Sequence, residues 1–343
     1  MPGASSAQAR NPIYTPDRLE TELATMVRRF PAHLRIERIG QSAQGRSLSV
    51  VELGPRTPDS RPTVFILFGQ HPDEHDVNSL GMFFIRELVA GYGHDAGTTT
   101  LLDRFRVAIM PMANPDGCVH DLEESATPFA WRRNRRPHDG GIGTNLNRNW
   151  GHTWKPGHEE DWPGEAAFSE PESRAIRDWL MARGRIAGLF DFHTGTSSFT
   201  EGMVLIPEPE WLTQPSLETH DRIARLLAEN MSLPGDRRDD FWVCAPSAVR
   251  GRLVEALTRI VPEPHRAEAI ARLPADTRAW GTSLGWASNE FDTVSLGLEI
   301  SRTFETTDVP AYGRAMQADH ATRAPRFLWA FVTAAIALPV SPR

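Results

Sequence analysis

The sequence predicts an α/β fold, with a mixed, mostly parallel central sheet and helices on both faces. Three observations predict it. Apolar runs at 63–68, 106–112, 186–192 and 294–300 have the length and the β-branched or aromatic content of buried strands, and stretches of helical period separate them. An earlier pair, 35–39 and 48–53, has Gly40 and Gly45 between its arms and reads as a hairpin. Each polar candidate lies at or just past a strand end, where open α/β sheets place their sites.

Taken in order, residues 1–13 read as a flexible tail and 14–343 as one domain. Thr15-Pro16-Asp17 opens a helix carrying Leu19, Leu23, Met26, Val27 and Phe30. A second helix is expected over 77–90. The strand over 106–112 ends at Asn114-Pro115-Asp116-Gly117, a turn signal. Residues 118–168 show little regular pattern but many Gly, Arg, Asn and Trp, and a loop that long in a compact domain is usually functional. Ser169-Glu170-Pro171-Glu172 reads as a capping box, with Ser169 as cap and Glu172 reaching back, for a helix running to Arg183. Helices are expected over 218–231 and 248–261, and a helix or helix pair over 311–338.

Composition narrows the classes. The chain has 343 residues, 40% hydrophobic and 24% charged, which is ordinary for a globular protein. A net charge of -7 gives no basic footprint for nucleic acid. Cys118 and Cys244 allow one bridge at most and are expected as small buried residues. The apolar stretch 327–338 is too short to span a bilayer, so no membrane partner is expected. No secretory signal is read in 1–12 and no pro-segment ahead of the domain, so the expected location is cytoplasmic.

The strand over 63–68 delivers His71 and Glu74, three residues apart and able to turn onto one point. Imidazole nitrogen with carboxylate oxygen is a donor set that suits zinc. A catalytic zinc takes a third protein ligand, and His193, at the end of Phe190-Asp191-Phe192-His193-Thr194-Gly195, is the best candidate. Glu299 lies within Leu296-Gly297-Leu298-Glu299-Ile300, where a carboxylate is costly unless it has a partner or a task. His71-Pro72-Asp73-Glu74-His75 also matches the His-x-x-Glu-His pattern, which needs both histidines on one helix face. Here Asp76-Val77-Asn78-Ser79 reads as the helix entry, so 71–75 is expected as a turn, with His75 as a supporting or rim residue.

In order and approximate spacing the chain resembles the zinc carboxypeptidases of the carboxypeptidase A type. The resemblance rests on His71-x-x-Glu74, Asn114-Pro115-Asp116-Gly117, Trp131-Arg132-Arg133-Asn134-Arg135, Asn145-Leu146-Asn147-Arg148-Asn149-Trp150, the segment 168–175, His193 and Glu299, over roughly residues 60–300. It implies one Zn2+ ion held by His71, Glu74 and His193. It implies Glu299 as the base that takes a proton from the attacking water and gives it to the leaving nitrogen. Arg132 would hold the oxyanion, and Arg148, with Asn147 beside it, would clamp a peptide's C-terminal carboxylate.

Four departures from the family's pattern stand out. Tyr14, Tyr92 and Tyr312 are the only tyrosines, so the family's mobile Tyr clamp before the catalytic Glu is absent or replaced by Trp280 or Trp286. Asn145 stands where the family has an Asp that accepts from a ligand His, so the contact carries no charge. Ser283-Leu284-Gly285-Trp286 replaces a Ser-x-Asp-Trp pattern, and Leu284 implies an apolar pocket. The interval from His193 to Glu299 is long, and the excess is placed within 207–277 as an insertion, a lid or interaction surface. The expected substrate is a peptide. The alternative is an N-acyl amino acid, because Asp191-Phe192-His193-Thr194 also resembles the zinc deacylases. The third possibility is a non-catalytic binding protein on the same fold.

Overall fold

The computed structural model describes residues 13–56, 60–157, 161–195, 202–233, 235, 240–271, 277–301 and 306–340. An eight-stranded sheet organises them. Its strands are β1 (Leu34–Gln41), β2 (Ser47–Leu53), β3 (Thr63–Phe68), β4 (Arg106–Met110), β7 (Ile186–Gly195), β8 (Gly202–Leu205), β9 (Phe241–Cys244) and β10 (Val294–Ser301), in the order β1-β2-β4-β3-β7-β10-β8-β9. A separate two-stranded ribbon pairs β5 (Pro137–His138) with β6 (Gly141–Ile142). The four central strands β4, β3, β7 and β10 run parallel, and the β1–β2, β2–β4 and β8–β10 pairings are antiparallel. The sheet is therefore mixed, as the sequence predicts.

Alternation along β3 sorts its side chains between the two faces. Val64, Ile66 and Phe68 join a core with α1 (Pro16–Arg29), α2 (His75–Gly91), α3 (Ala96–Arg104), α6 (Gln214–Met231) and α10 (Val309–Ile336). Phe65 and Leu67 face the other way, toward Ile176, Trp179 and Leu180 of α5 (Pro171–Met181) and Trp286 and Ala287 of α9 (Ser283–Phe291). Each such side chain, fully buried, stabilises the fold by about 1.5–3 kcal/mol. The rigidity of this double-faced core is what fixes the ends of the central strands.

Several elements differ from expectation for identifiable reasons. Ile13, placed in the tail, is buried against Tyr312 and Met316; residues 1–12 lie outside the described residues. Asn114 is the N-cap of α4 (Pro115–Val119), its Oδ1 accepting from Gly117 N–H at 3.0 Å, so the turn signal marks a helix start. Ser169 and Glu172 form no capping box. The N-cap of α5 is Glu170, and the Glu172 carboxylate instead accepts from Ala43 N–H and from the Asn134 amide, both at 3.0 Å, because it is buried against those segments. The C-terminal pattern forms one helix, α10, with Pro325 inside it. Unforeseen were α3, α8 (Arg266–Ala271), α9, β8, β9 and the β5–β6 ribbon, all short. Within 207–277, α6 packs on the sheet and α10, β9 extends the sheet edge, and α7 (Pro246–Ile260) and α8 follow.

Candidate metal centre and cleft

The chain leaves β3 through Gly69 at φ +70, where a Cβ would collide with the Asn78 side chain. That turn brings His71 and Glu74 back over the strand end before α2 begins at His75. The next strand, β7, carries His193 two residues before its end, and its neighbour β10 places Glu299 directly opposite His193 in register. Asn114 Nδ2 holds the Gln70 carbonyl at 3.1 Å, and Gln70 itself bonds Asp191 and Trp150, which pins the turn to the sheet.

His71, Glu74 and His193 converge, with one donor atom from each lying within 4.8 Å of the others, all buried. The Nδ1 atoms of the two imidazoles face each other at 3.1 Å, and the two Glu74 oxygens lie 2.9 Å from His71 Nδ1 and 3.1 Å from His193 Nδ1. The other ring nitrogens turn outward to partners: His71 Nε2 to Asn145 Oδ1 at 3.1 Å, and His193 Nε2 to Asp191 Oδ2 at 3.1 Å. Two inward nitrogens, one carboxylate and outward nitrogens already engaged are what a zinc site requires, so the residues fit the ion. Asp191, two residues before His193 on the same strand, shares its face, as strand alternation requires.

The charges in this pocket are tightly linked. Burial and the Arg132 guanidinium press His71 down to about 4. Burial opposes a charge on His193 too, but Asp191 and Glu74 hold its pKa well above the ordinary range. Glu74, despite burial, is held well below the carboxylate range by the two histidines. Glu299 is pushed up, by burial first and by Glu74 and Asp191, against His193 and Arg132. A carboxyl raised in this way suits a proton carrier.

Arg132 reaches the same point. Its Nη1 donates to Asp73 at 3.0 Å and lies 3.3 Å from Glu74, and its Nη2 lies 2.9 Å from His71 Nδ1. The rest of the arginine run diverges: Arg133 and Arg135 lie over the Trp131 ring, and Arg136 bonds Ser169 and Glu170. Asn147 Nδ2 lies 3.1 Å from His193 Nε2, and its Oδ1 accepts from Ser283 N–H. Arg148 donates to Asp161 at 2.7 Å and to the Asn147 carbonyl at 2.8 Å. A cavity of about 190 Å³ is lined by His71, His193, Glu299, Arg132, Asn147 and Arg148 on its polar side. Met203, Leu205, Ile206, Trp211, Val249 and Leu284 form its apolar side.

The structure separates some candidates from the site. His75 is buried in the first turn of α2 and points to Asp121 at 2.8 Å, so the His-x-x-Glu-His reading has no shared helix face. Trp286 is a core residue packed on Trp150 and Phe168 and does not replace a clamp. Trp280 packs beside Trp211 under the Lys155 ammonium, and it is Trp211 that lines the cavity. Trp211 sits in a Pro-bounded turn with no periodic signal, and only its aromatic character could have drawn notice. Both cysteines are free; Cys118 is buried and Cys244 half-buried. Among the described residues, no helix is long and apolar enough to cross a membrane.

Comparison with known proteins accords with this geometry. The zinc carboxypeptidase family pattern matches residues 19–307. The chain is 33% identical over 136 residues to a protein named zinc carboxypeptidase from Saccharothrix mutabilis subsp. capreolus, covering 39% of this chain and 31% of that protein. It is 26% identical over 302 residues to a protein named inactive metallocarboxypeptidase ECM14 from Blastomyces gilchristii, covering 83% of this chain and 47% of the relative. The chain thus spans less than half the length of these curated relatives. The crystal structure of carboxypeptidase A from Helicoverpa armigera superposes with a TM-score of 0.69 at 21% identity, covering 95% of this chain and 74% of that one, a likeness of fold.

Proposed function

The chain belongs to the zinc carboxypeptidase family, and from that premise we propose that it removes an apolar C-terminal residue from a peptide. One observation carries the reading. A single cavity gathers the two histidines of the candidate metal site, Glu299, two guanidinium groups and an apolar wall. A zinc ion held by His71, Glu74 and His193 supplies Lewis acidity and a water acidic near neutral pH. Glu299 takes a proton from the attacking water and passes it to the leaving nitrogen. Arg132 donates to the oxygen on which charge develops, in a pocket where low dielectric strengthens the bond. Arg148 receives the terminal carboxylate with its planar fork, with Asn147 beside it. Leu284, Leu205 and Met203 then surround the terminal side chain with apolar surface. Zn2+ is the cofactor of this reading.

A deacylase of N-acyl amino acids remains the second reading, favoured by the absence of any tyrosine between His193 and Glu299. A binding role without turnover is favoured by the relative whose name calls it inactive. One experiment separates the three. Purified protein with measured metal content is given a mixed library of peptides and N-acyl amino acids, and products are read by mass spectrometry. Loss of one apolar C-terminal residue supports the proposal, and loss of an acyl group replaces it with the second reading. Intact substrates in the presence of bound zinc select the third.

A further inference from the structure

The two candidate metal-binding histidines are backed unequally. Behind His193 stands a carboxylate in direct contact, Asp191 Oδ2 at 3.1 Å from Nε2. Behind His71 stands only the neutral Asn145 Oδ1, at 3.1 Å from Nε2. The far side of that amide is not neutral, however. Asn145 Nδ2 donates a short hydrogen bond to Asp161 Oδ1, and Asp161 Oδ2 accepts from Arg148 Nε at 2.7 Å. One line of contacts therefore runs from the carboxylate of Asp161 through the Asn145 amide to the ring of His71.

We propose that Asp161 is a positioning residue that supplies, through Asn145, the negative charge His71 lacks in direct contact. An amide whose N–H donates to a carboxylate is polarised, and its oxygen becomes a stronger acceptor. The His71 ring N–H is thereby held to Asn145, Nδ1 is kept free for the metal, and the ring is made a better donor. The local arrangement supports this route. Asn145 Oδ1 also accepts from Asn147 N–H at 3.0 Å, which fixes the amide so that its NH2 faces Asp161. The Asp161 carboxyl is held below its usual range against burial, by Arg148 first, and His71 is among the charges it feels. Asp161 also accepts from Arg148, so the same carboxylate bonds both the amide that backs His71 and the group proposed to take the substrate's carboxylate.

The inference rests on His71 being a zinc ligand, and the test keeps the two claims apart. Zinc affinity is measured by competition with a chromophoric chelator, which needs no substrate. Asp161→Asn is expected to weaken zinc about tenfold, the lower end of what removing a ligand's supporting partner costs. Adding Asn145→Asp to that variant returns a carboxylate to direct contact with His71 and is expected to restore affinity to within about threefold. Asn145→Asp alone is the reference: an Asp161 that acts through Asn145 makes Asp161→Asn cost little once Asn145→Asp is present, whereas a purely structural role, such as aligning Arg148, costs the same with and without it. Asp161→Ser serves as a second removal, and melting of the metal-free proteins reports folding; the side chain is half exposed, so both variants are expected to fold. Unchanged affinity in Asp161→Asn, or failure of the double variant to recover, overturns the inference. Absence of zinc binding by the unaltered protein overturns the metal site itself.

Discussion

His193 and Glu299 are presented by strands, Arg132 by a loop, and the two kinds of support are physically unlike. His193 and Glu299 face each other across adjacent parallel strands that pack buried hydrocarbon such as Leu189, Phe190, Phe192, Leu296 and Leu298. Their positions follow from backbone ladders and close packing, which many residues share. The segment carrying Arg132 has little regular structure and rests on buried polar groups. Asp121 accepts from the N–H groups of Phe129, Ala130 and Trp131, and Asn134 bonds both Glu170 and Glu172 through one amide nitrogen. Strand ends tolerate the loss of a single side chain, whereas a buried polar network fails when one member is left without a partner.

The largest expected effect lies on the strand side and leaves structure untouched. Glu299→Gln keeps shape and removes the proposed proton carrier, so the proposed hydrolysis should fall by roughly 10²–10⁴-fold, with zinc content and melting temperature preserved. Zinc analysis alongside steady-state rates checks this. A variant that loses its metal would mean that the strand end is less independent of its side chains than the comparison claims.

The next effect lies beneath the loop and depends on pH. Burial lifts the Glu172 carboxyl from the ordinary 4.5 to about 7. Between those values the folded state holds a proton that the unfolded chain has released, so folding is favoured at the acid end and loses stability as pH rises through the window. The loss amounts to about 3 kcal/mol across it. Glu172→Gln removes the titration. Urea unfolding at pH 4.5 and pH 7.5 should show the wild-type protein losing that amount more than the variant. Parallel curves would show that Glu172 is already ionised in the folded protein and that the loop rests on an ion rather than a neutral carboxyl.

The same contrast explains what was legible in the sequence. His71, Glu74 and His193 stand at the ends of apolar runs and Glu299 within one, so hydrophobic pattern and ligand chemistry together pointed to them. The partners of the loop left no such mark. Asp121, Asn134 and Glu170 are polar residues in polar stretches, and their burial follows from tertiary packing that no local period encodes. Glu172 shows the hazard directly. Its place after Ser169-Glu170-Pro171 fits a capping box, yet its carboxylate is drawn to Ala43 and Asn134 from distant segments. Asn114 shows the converse, because a turn signal and a helix cap use the same side-chain-to-backbone bond and only the following residues decide between them.

The smallest effect isolates the loop's own anchor. Asp121 is fully buried, with Oδ1 accepting from Ala130 N–H at 3.0 Å and Trp131 N–H at 2.8 Å, and Oδ2 accepting from Phe129 N–H at 2.9 Å and facing His75 Nε2 at 2.8 Å. Asp121→Asn replaces one oxygen with an NH2 group. If that group takes the place of Oδ2, His75 can offer a bare nitrogen to it, but Phe129 N–H meets a donor. If it takes the place of Oδ1, two backbone donors are left unmet. The first arrangement costs less, about 2 kcal/mol of stability, and loosens the chain three residues before Arg132. In the proposed reaction Arg132 acts in the transition state, so kcat should fall by about tenfold while KM and zinc affinity hold, because Asp121 bonds Phe129, Ala130, Trp131 and His75 rather than the proposed zinc ligands. A matching loss of zinc affinity would instead mean that the loop and the strand ends form one mechanical unit, coupled through the Asp121–His75 hydrogen bond next to Glu74 and through Arg132 against His71 and Glu74.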